Sequence, residues 1–305
     1  MSRIELEYIN YVNKLIELAE ESSLEKTYSL IGVSLHHDFS EGFPLLTHKK
    51  MFTRGVIEEL KFFLNQGHKA SDLSSKGVKI WDMNASQEFK QATGVERLEG
   101  DELGPIYGCQ WRNFNNSGVD QLQTIINLLK QGSTSRQLVM SAWNPQVINT
   151  FNPSCEQPMV LPPCHTSYQF LLRNNKLHLV MYQRSGDICL GVPFNIASCG
   201  FLMALVGEFT GIPLGTLTIH FGDLHIYHSH IEPAKQIKSR KLHKLPKVKI
   251  TKPSTSQESS TSQESSTSQE SSTSKDSSFD NFVNNCSIDI EDYTCEPLLK
   301  FDLTY

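Results

Sequence analysis

The sequence predicts an α+β fold, and three observations predict it. Some segments repeat apolar residues every second position and others every three or four, so strands and helices coexist. The two kinds do not alternate in the regular way of a doubly wound sheet. Neither GxGxxG nor GxxxxGK[ST] occurs, so no phosphate-binding turn of those types is expected. In chain order, residues 3–21 read as a charged amphipathic helix, and 52–65 and 119–131 as further helices. The run QLVMSAW, 137–143, reads as a strand. Strands at 166–173 and 176–183 form a hairpin that turns at Arg173-Asn174-Asn175, because asparagine tolerates left-handed backbone angles. After Pro193 the stretch FNIASCGFLMALVGEFTG is apolar nearly all round, so 193–211 reads as a buried core helix. A further strand is expected at 216–221.

The 305 residues suffice for one large domain or two ordinary ones. A net charge of −5 and a pI near 6.1 give no global basic footprint, so DNA is not an expected partner. No run of about 18 apolar residues suggests a membrane span, and the charged N-terminus lacks the apolar centre of a signal peptide. Seven cysteines are scattered without a CxxC pair, so no metal is expected. A reducing, cytoplasmic compartment is the simplest setting for them.

From Ser254 to Ser277 the motif STSQES repeats three times and closes as STSKDS. The repeat contains no apolar side chain to offset the entropy of ordering, so it is expected to be disordered. The chain accordingly divides into a globular body at 1–253, a disordered insertion at 254–278, and a segment at 279–305. That last segment regains aromatic and apolar residues and is expected to complete the same domain.

Several stretches hold residue types that chemistry needs. In LPPCHTSYQF, 161–170, Pro162 and Pro163 stiffen the backbone before Cys164. On local grounds Cys164 is equally a packed cysteine or a nucleophile, and His165 beside it points to the other face of a regular strand. In YQRSGD, 182–187, Arg184 and Ser185 make a reasonable anion site, although an Arg184–Asp187 surface pair is the blander reading. Within GVPFN, 191–195, Asn195 reads either as an N-cap or as an amide that recognises a ring edge. In HFGDLHIYHSH, 220–230, alternation places His225 and Tyr227 on one strand face, free to bond a sugar hydroxyl.

Taken in this order, long motifs resemble the thymidylate synthase family over nearly the whole chain. They are FPLLTHKK (43–50), EELKFFL (58–64), SSKGVKIWDMN (74–84), LGPIYGCQWR (103–112), GVDQLQ (118–123), SRQLVMSAWNP (135–145), LPPCHTSYQF, YQRSGDICLGVPFNIAS (182–198) and GDLHIYHSHIEP (222–233). The IWDMN and GVDQLQ segments look more like eukaryotic or viral members. The resemblance implies a mixed sheet packed by helices, with a homodimer formed across the sheet. It implies reductive methylation of dUMP to dTMP, with 5,10-methylenetetrahydrofolate as co-substrate and no metal.

It also implies roles for particular residues. Cys164 would be the nucleophile, Glu59 would manage protons, and Tyr107 would assist proton removal from the ring. Arg184 and Ser185 would bind the phosphate, Asn195 would read the uracil edge, and His225 with Tyr227 would hold the ribose. His165 and Gln183 match positions lining the nucleotide site. Trp81, Asn84, Asp187, Leu190, Gly191 and Phe194 match folate-side positions, with Asp187 on the pterin.

Arg136 would reach the partner subunit's phosphate site, but the position beside it, where the family pattern has a second arginine, holds Gln137. The SSLEKTYSL stretch, 22–30, also lacks an expected arginine and offers only Lys26, which lacks the bidentate fork. The chain ends FDLTY instead of in small apolar residues. Two alternatives stand beside the main reading: a dUMP hydroxymethylase, and a non-catalytic paralogue with a weakened phosphate site.

Overall fold

Five segments build one sheet, and a helix apolar on every side fills the space beneath it. The computed structural model describes residues 2–21, 25–252 and 278–302; the serine-rich tract and the last three residues of FDLTY lie outside them. The chain runs through α1 (Arg3–Glu21), β1 (Thr27–Asp38) and α2 (Thr53–Leu64). The short helices α3 (Ser71–Ser74), α4 (Gln87–Thr93) and α5 (Tyr107–Arg112) lead to α6 (Gln121–Lys130). Next come β2 (Val139–Ser141), β3 (His165–Arg173), β4 (Lys176–Asp187), α7 (Gly191–Thr210) and β5 (Leu214–Tyr227). After them follow α8 (Ile231–Lys235), β6 (Lys247–Thr251), α9 (Phe279–Asn285) and β7 (Ser287–Glu291).

The main sheet has the order β1-β5-β4-β3-β2. The β4–β5 pair is parallel and the other pairs are antiparallel, so the sheet is mixed. Register lines up Leu35, Ile219, Met181, Tyr168 and Met140 across all five strands. Every member of that row is buried. The β3–β4 hairpin turns on Asn174 and Asn175 at φ 51° and 57°, the left-handed pair that a two-residue turn needs.

The expected boundaries move where local chemistry overrides pattern. The strand expected at 137–143 shortens to Val139–Ser141, because Asn144 caps a 3-10 turn at Pro145–Val147 and takes the chain out of the sheet. The helix expected from Pro193 begins at Gly191, since proline is tolerated in a first helical turn. Asn195 therefore lies inside α7 and is not its N-cap, a position that Leu190 occupies. The strand at 216–221 extends to Leu214–Tyr227. Strand β1 escapes pattern reading because its apolar alternation is broken at Gly32, which adopts φ 68°. Helix α7 is long and apolar enough to cross a membrane by composition, yet it lies mostly buried within the core.

Residues 278–302 pack on the body. Phe279 and Phe282 of α9 meet Phe209 of α7 at ring separations of 5.2 and 5.4 Å. Arg112 pairs with both Asp280 (2.6 Å) and Asp120 (2.9 Å), joining α9 to the start of α6. Tyr293 Oη donates to the Leu46 carbonyl at 2.8 Å.

The topology gathers one end of the sheet. Because β3 runs antiparallel to β4 and β5 parallel to it, the start of β3 meets the ends of β4 and β5. His165 thus pairs with Gln183, and Asp187 with His225.

Candidate active site

At that end of the sheet lies a cleft of roughly 370 Å³. Its walls bring together Glu59, Trp81, Asn84 and Tyr107 from the helical layer, and Cys164, His165, Gln183, Arg184, Ser185 and Asp187 from β3 and β4. Leu190, Gly191 and Asn195 close it from α7, and His225 and Tyr227 from β5. Two expected residues are elsewhere. Phe194 packs against the hydrophobic core. Arg136 is exposed on the loop before β2, where its carbonyl accepts from Gln169 Nε2 at 2.8 Å.

Phe63, Ile80 and Leu161 also line the cleft and were not singled out from sequence. Phe63 lies four residues after Glu59, hence on the same face of α2, and that spacing was the available signal. Nothing in residue type marked Ile80 or Leu161 beyond their adjacency to Trp81 and Pro162.

The two prolines do more than stiffen the approach to Cys164. Proline lacks an amide hydrogen but keeps its carbonyl. Arg184 Nη2 donates to the Pro162 carbonyl at 2.8 Å and Nε to that of Pro163 at 3.0 Å. The guanidinium so held stands 4.0 Å from Cys164 Sγ, and 5.8 Å from the centre of the Trp143 ring. The Cys164 amide donates to Tyr107 Oη at 2.8 Å. Burial pushes the Cys164 thiol up, and the Arg184 charge and the Tyr107 hydroxyl oppose this only in part.

The other titratable groups separate by environment. Glu59 has Trp81 Nε1 as a donor at 2.8 Å, and desolvation pushes its carboxyl up to about 7. Desolvation lowers His165 to about 4, which keeps it neutral. Tyr107 is raised well above the ordinary phenol range, chiefly by burial and next by Cys164. At the opposite wall, Asp187 Oδ1 accepts the Cys189 amide at 2.9 Å. The buried Lys49, lowered to about 8 by desolvation, donates to the Cys189 carbonyl and faces the Phe301 ring at 5.2 Å. The His225 and Tyr227 rings meet edge-on at 5.3 Å, with His225 Nδ1 2.9 Å from Asp223 Oδ1.

Among the described residues, Asp187, Cys189 and His230 place donor atoms within 4.8 Å of one another. Protein bonds already engage Asp187 Oδ1, as above, and His230 Nε2, which meets the Asp302 carbonyl at 2.6 Å. Two other cleft atoms, Gln183 Oε1 and Asn84 Nδ2, are buried with no hydrogen-bond partner among the described residues. Buried polar atoms are normally paired, so these two suit the cleft to polar groups of a ligand.

Residues 6–304 match the family described as thymidylate synthase. The chain belongs to that family. It is 39% identical over 260 residues to the thymidylate synthase of Homo sapiens, covering 81% of this chain and 80% of that one. A thymidylate synthase of human herpesvirus 8 type P is 39% identical over 270 residues, covering 83% and 77%. One from varicella-zoster virus strain Dumas is 38% identical over 260 residues, covering 81% and 84%. The mixed five-stranded sheet packed by helices is consistent with this family membership.

Proposed function

We propose that this chain is a thymidylate synthase that converts dUMP to dTMP by reductive methylation. The carrying observation is the cysteine thiol 4.0 Å from an arginine whose guanidinium is locked on two proline carbonyls. A thiolate is the nucleophile for covalent catalysis. In this reading Cys164 Sγ adds to the sixth carbon of the uracil ring, and the ring's electrons move towards its carbonyl. The activated fifth carbon then accepts the one-carbon unit. When bound, 5,10-methylenetetrahydrofolate supplies that unit and the hydride.

The remaining residues bind, orient and move protons. Arg184 and Ser185 hold the phosphate, and Arg184 favours the thiolate. Asn195 offers a donor and an acceptor to the uracil edge, the reverse of what cytosine needs. His225 and Tyr227 take the ribose hydroxyl. Glu59, poised near neutrality, exchanges protons with the ring carbonyl and the folate through water. Tyr107, whose oxygen accepts the Cys164 amide, stands beside the nucleophile and assists proton loss from the fifth carbon. Trp81, Asn84, Asp187, Leu190 and Gly191 form the folate wall, and the unpaired Asn84 Nδ2 supports a polar ligand there.

We infer a homodimer built on the sheet face away from α7, where Tyr182 and Val139 are left 44% and 46% exposed. Arg136, exposed and remote from its own cleft, would serve the partner subunit's phosphate site. Gln137 and Lys26 in place of arginines weaken that site without removing the nucleophile or the base reader. Cytoplasm, or a host's cytoplasm or nucleus for a viral source, is the compartment we assign.

The test is a ternary complex with 5-fluoro-dUMP and methylenetetrahydrofolate. A covalent adduct that survives denaturation, and that Cys164→Ala abolishes, is expected; no adduct in the unaltered protein would refute the reading. Product analysis separates the hydroxymethylase, which would release tetrahydrofolate instead of dihydrofolate.

A further inference from the structure

We propose that Asp223 is a positioning residue for sugar recognition, because its carboxylate fixes the single N–H of His225 on Nδ1. Nε2 is then a bare acceptor, and the site demands a hydrogen-bond donor on the 3′ carbon of the nucleotide. The proposal rests on the dUMP reading above and deepens it.

The strand itself builds the pair. Asp223 and His225 lie two residues apart on β5, so their side chains share one face. His225 lines the cleft, whereas Asp223 does not and is 42% exposed. Pairing on both sides of β5 holds the two in place: in the sheet register His225 lies between Ser29 of β1 and Asp187 of β4. The His225 carbonyl also accepts the Ile188 amide at 2.9 Å. Ser29 Oγ donates to Asp223 Oδ1 at 3.2 Å, and the same oxygen stands 2.9 Å from His225 Nδ1. A neighbouring strand thus holds the carboxylate that holds the imidazole.

The direction of the hydrogen follows from what each group can offer. A carboxylate has lone pairs and no hydrogen to give, so the ring nitrogen opposite it donates. A neutral imidazole has one N–H, and placing it on Nδ1 leaves Nε2 with a lone pair. Among the described residues no side chain besides Asp223 hydrogen-bonds His225, so no other group sets the tautomer and Nε2 is left for a ligand. The Tyr227 ring meets His225 edge-on at 5.3 Å, an aromatic contact that occupies neither nitrogen. A 3′-hydroxyl can donate its hydrogen to that lone pair. A 3′-fluorine has none to donate and sets lone pair against lone pair. The site thereby separates a nucleotide with a free 3′-hydroxyl from one whose 3′ oxygen is esterified or replaced.

The experiment compares dUMP with its 3′-fluoro-2′,3′-dideoxy analogue by equilibrium binding, in the unaltered protein and in Asp223→Asn. In the unaltered protein the fluoro analogue is expected to bind about tenfold more weakly, the scale of one hydrogen bond. The asparagine can turn an amide N–H towards Nδ1, which moves the ring N–H to Nε2. Nε2 then donates to the hydroxyl oxygen and no longer opposes fluorine, so most of the preference should be lost. A preference absent from the unaltered protein, or unchanged in a folded variant, overturns the proposal, because a merely structural Asp223 would weaken both ligands alike. Nitrogen-15 NMR of the unaltered protein at about pH 8, above the ordinary histidine range, needs no variant. The Nδ1–H tautomer is expected for His225, and a dominant Nε2–H tautomer or a doubly protonated ring overturns the proposal. Should dUMP bind with this preference yet form no covalent adduct, the functional reading falls and this one stands. The wrong tautomer in an active enzyme has the reverse outcome, and no binding of dUMP overturns both.

Discussion

Two glutamates on neighbouring helices show how this molecule separates architecture from chemistry. Glu5 of α1 is completely buried, yet donors surround it: the Thr47 amide (2.5 Å), the Thr47 hydroxyl (3.0 Å), the Ser2 hydroxyl (3.3 Å) and the His48 amide (3.4 Å). Glu59 of α2 is only half-buried by area, yet a single indole N–H from Trp81 answers a desolvated carboxyl. A carboxylate with all its lone pairs engaged ties α1 to the 43–50 loop. One left short of donors is raised to about 7 and can take or give a proton at neutral pH. The difference lies in the supply of donors more than in exposure, and it separates a clamp from a reactive group.

Substituting each glutamate breaks the comparison in opposite ways. Glu59→Gln has the largest expected effect: kcat/KM should fall by about 10²- to 10⁴-fold, with no loss of thermal stability. The sign follows from the shift. Below pH 4.5, the ordinary value, the carboxyl is protonated folded and unfolded alike. Between there and about 7 the unfolded chain ionises while the folded one keeps its proton, so stability falls as pH rises. The decrease is at most about 3 kcal/mol and levels off above that window. Denaturant titrations from pH 4 to 8 should show this slope in the unaltered protein and lose it in Glu59→Gln.

Arg184→Lys asks whether the reactive half also depends on fixed geometry. An ammonium cannot hold both proline carbonyls and a phosphate in one plane, so the dUMP dissociation constant should rise about ten- to a hundredfold. Equilibrium binding checks this, and a pH profile of Cys164 alkylation should shift upward. Glu5→Gln should do the converse of Glu59→Gln, costing about 1–3 kcal/mol in urea unfolding because an amide N–H meets the donors of Thr47. Activity per folded molecule should be retained. Asp280→Asn is the mildest, at about 0.5 kcal/mol, since the aspartate is 53% exposed and Arg112 keeps Asp120.

Much of the cleft was legible because its residues come in short runs of unusual composition. LPPCH, YQRSGD and GVPFN carry side chains that ordinary packing does not need together. Helices with a clear apolar face, such as α1 and α6, were equally plain. Strand β1 was not, because its alternation fails at Gly32. The true place of Asn195 was not either, because α7 starts at Gly191, two residues ahead of the Pro193 that marks a helix start in the pattern.

By itself the sequence supplied the residue types in LPPCH, YQRSGD and GVPFN that can act as nucleophile, anion anchor or edge reader. It also determined the buried character of α7. Only the tertiary structure decided how those groups behave. The prolines became carbonyl anchors for Arg184, and Glu59 was left with too few donors. The reason is physical: donor supply, desolvation and strand register are set by residues far apart in the chain, and no local pattern encodes them.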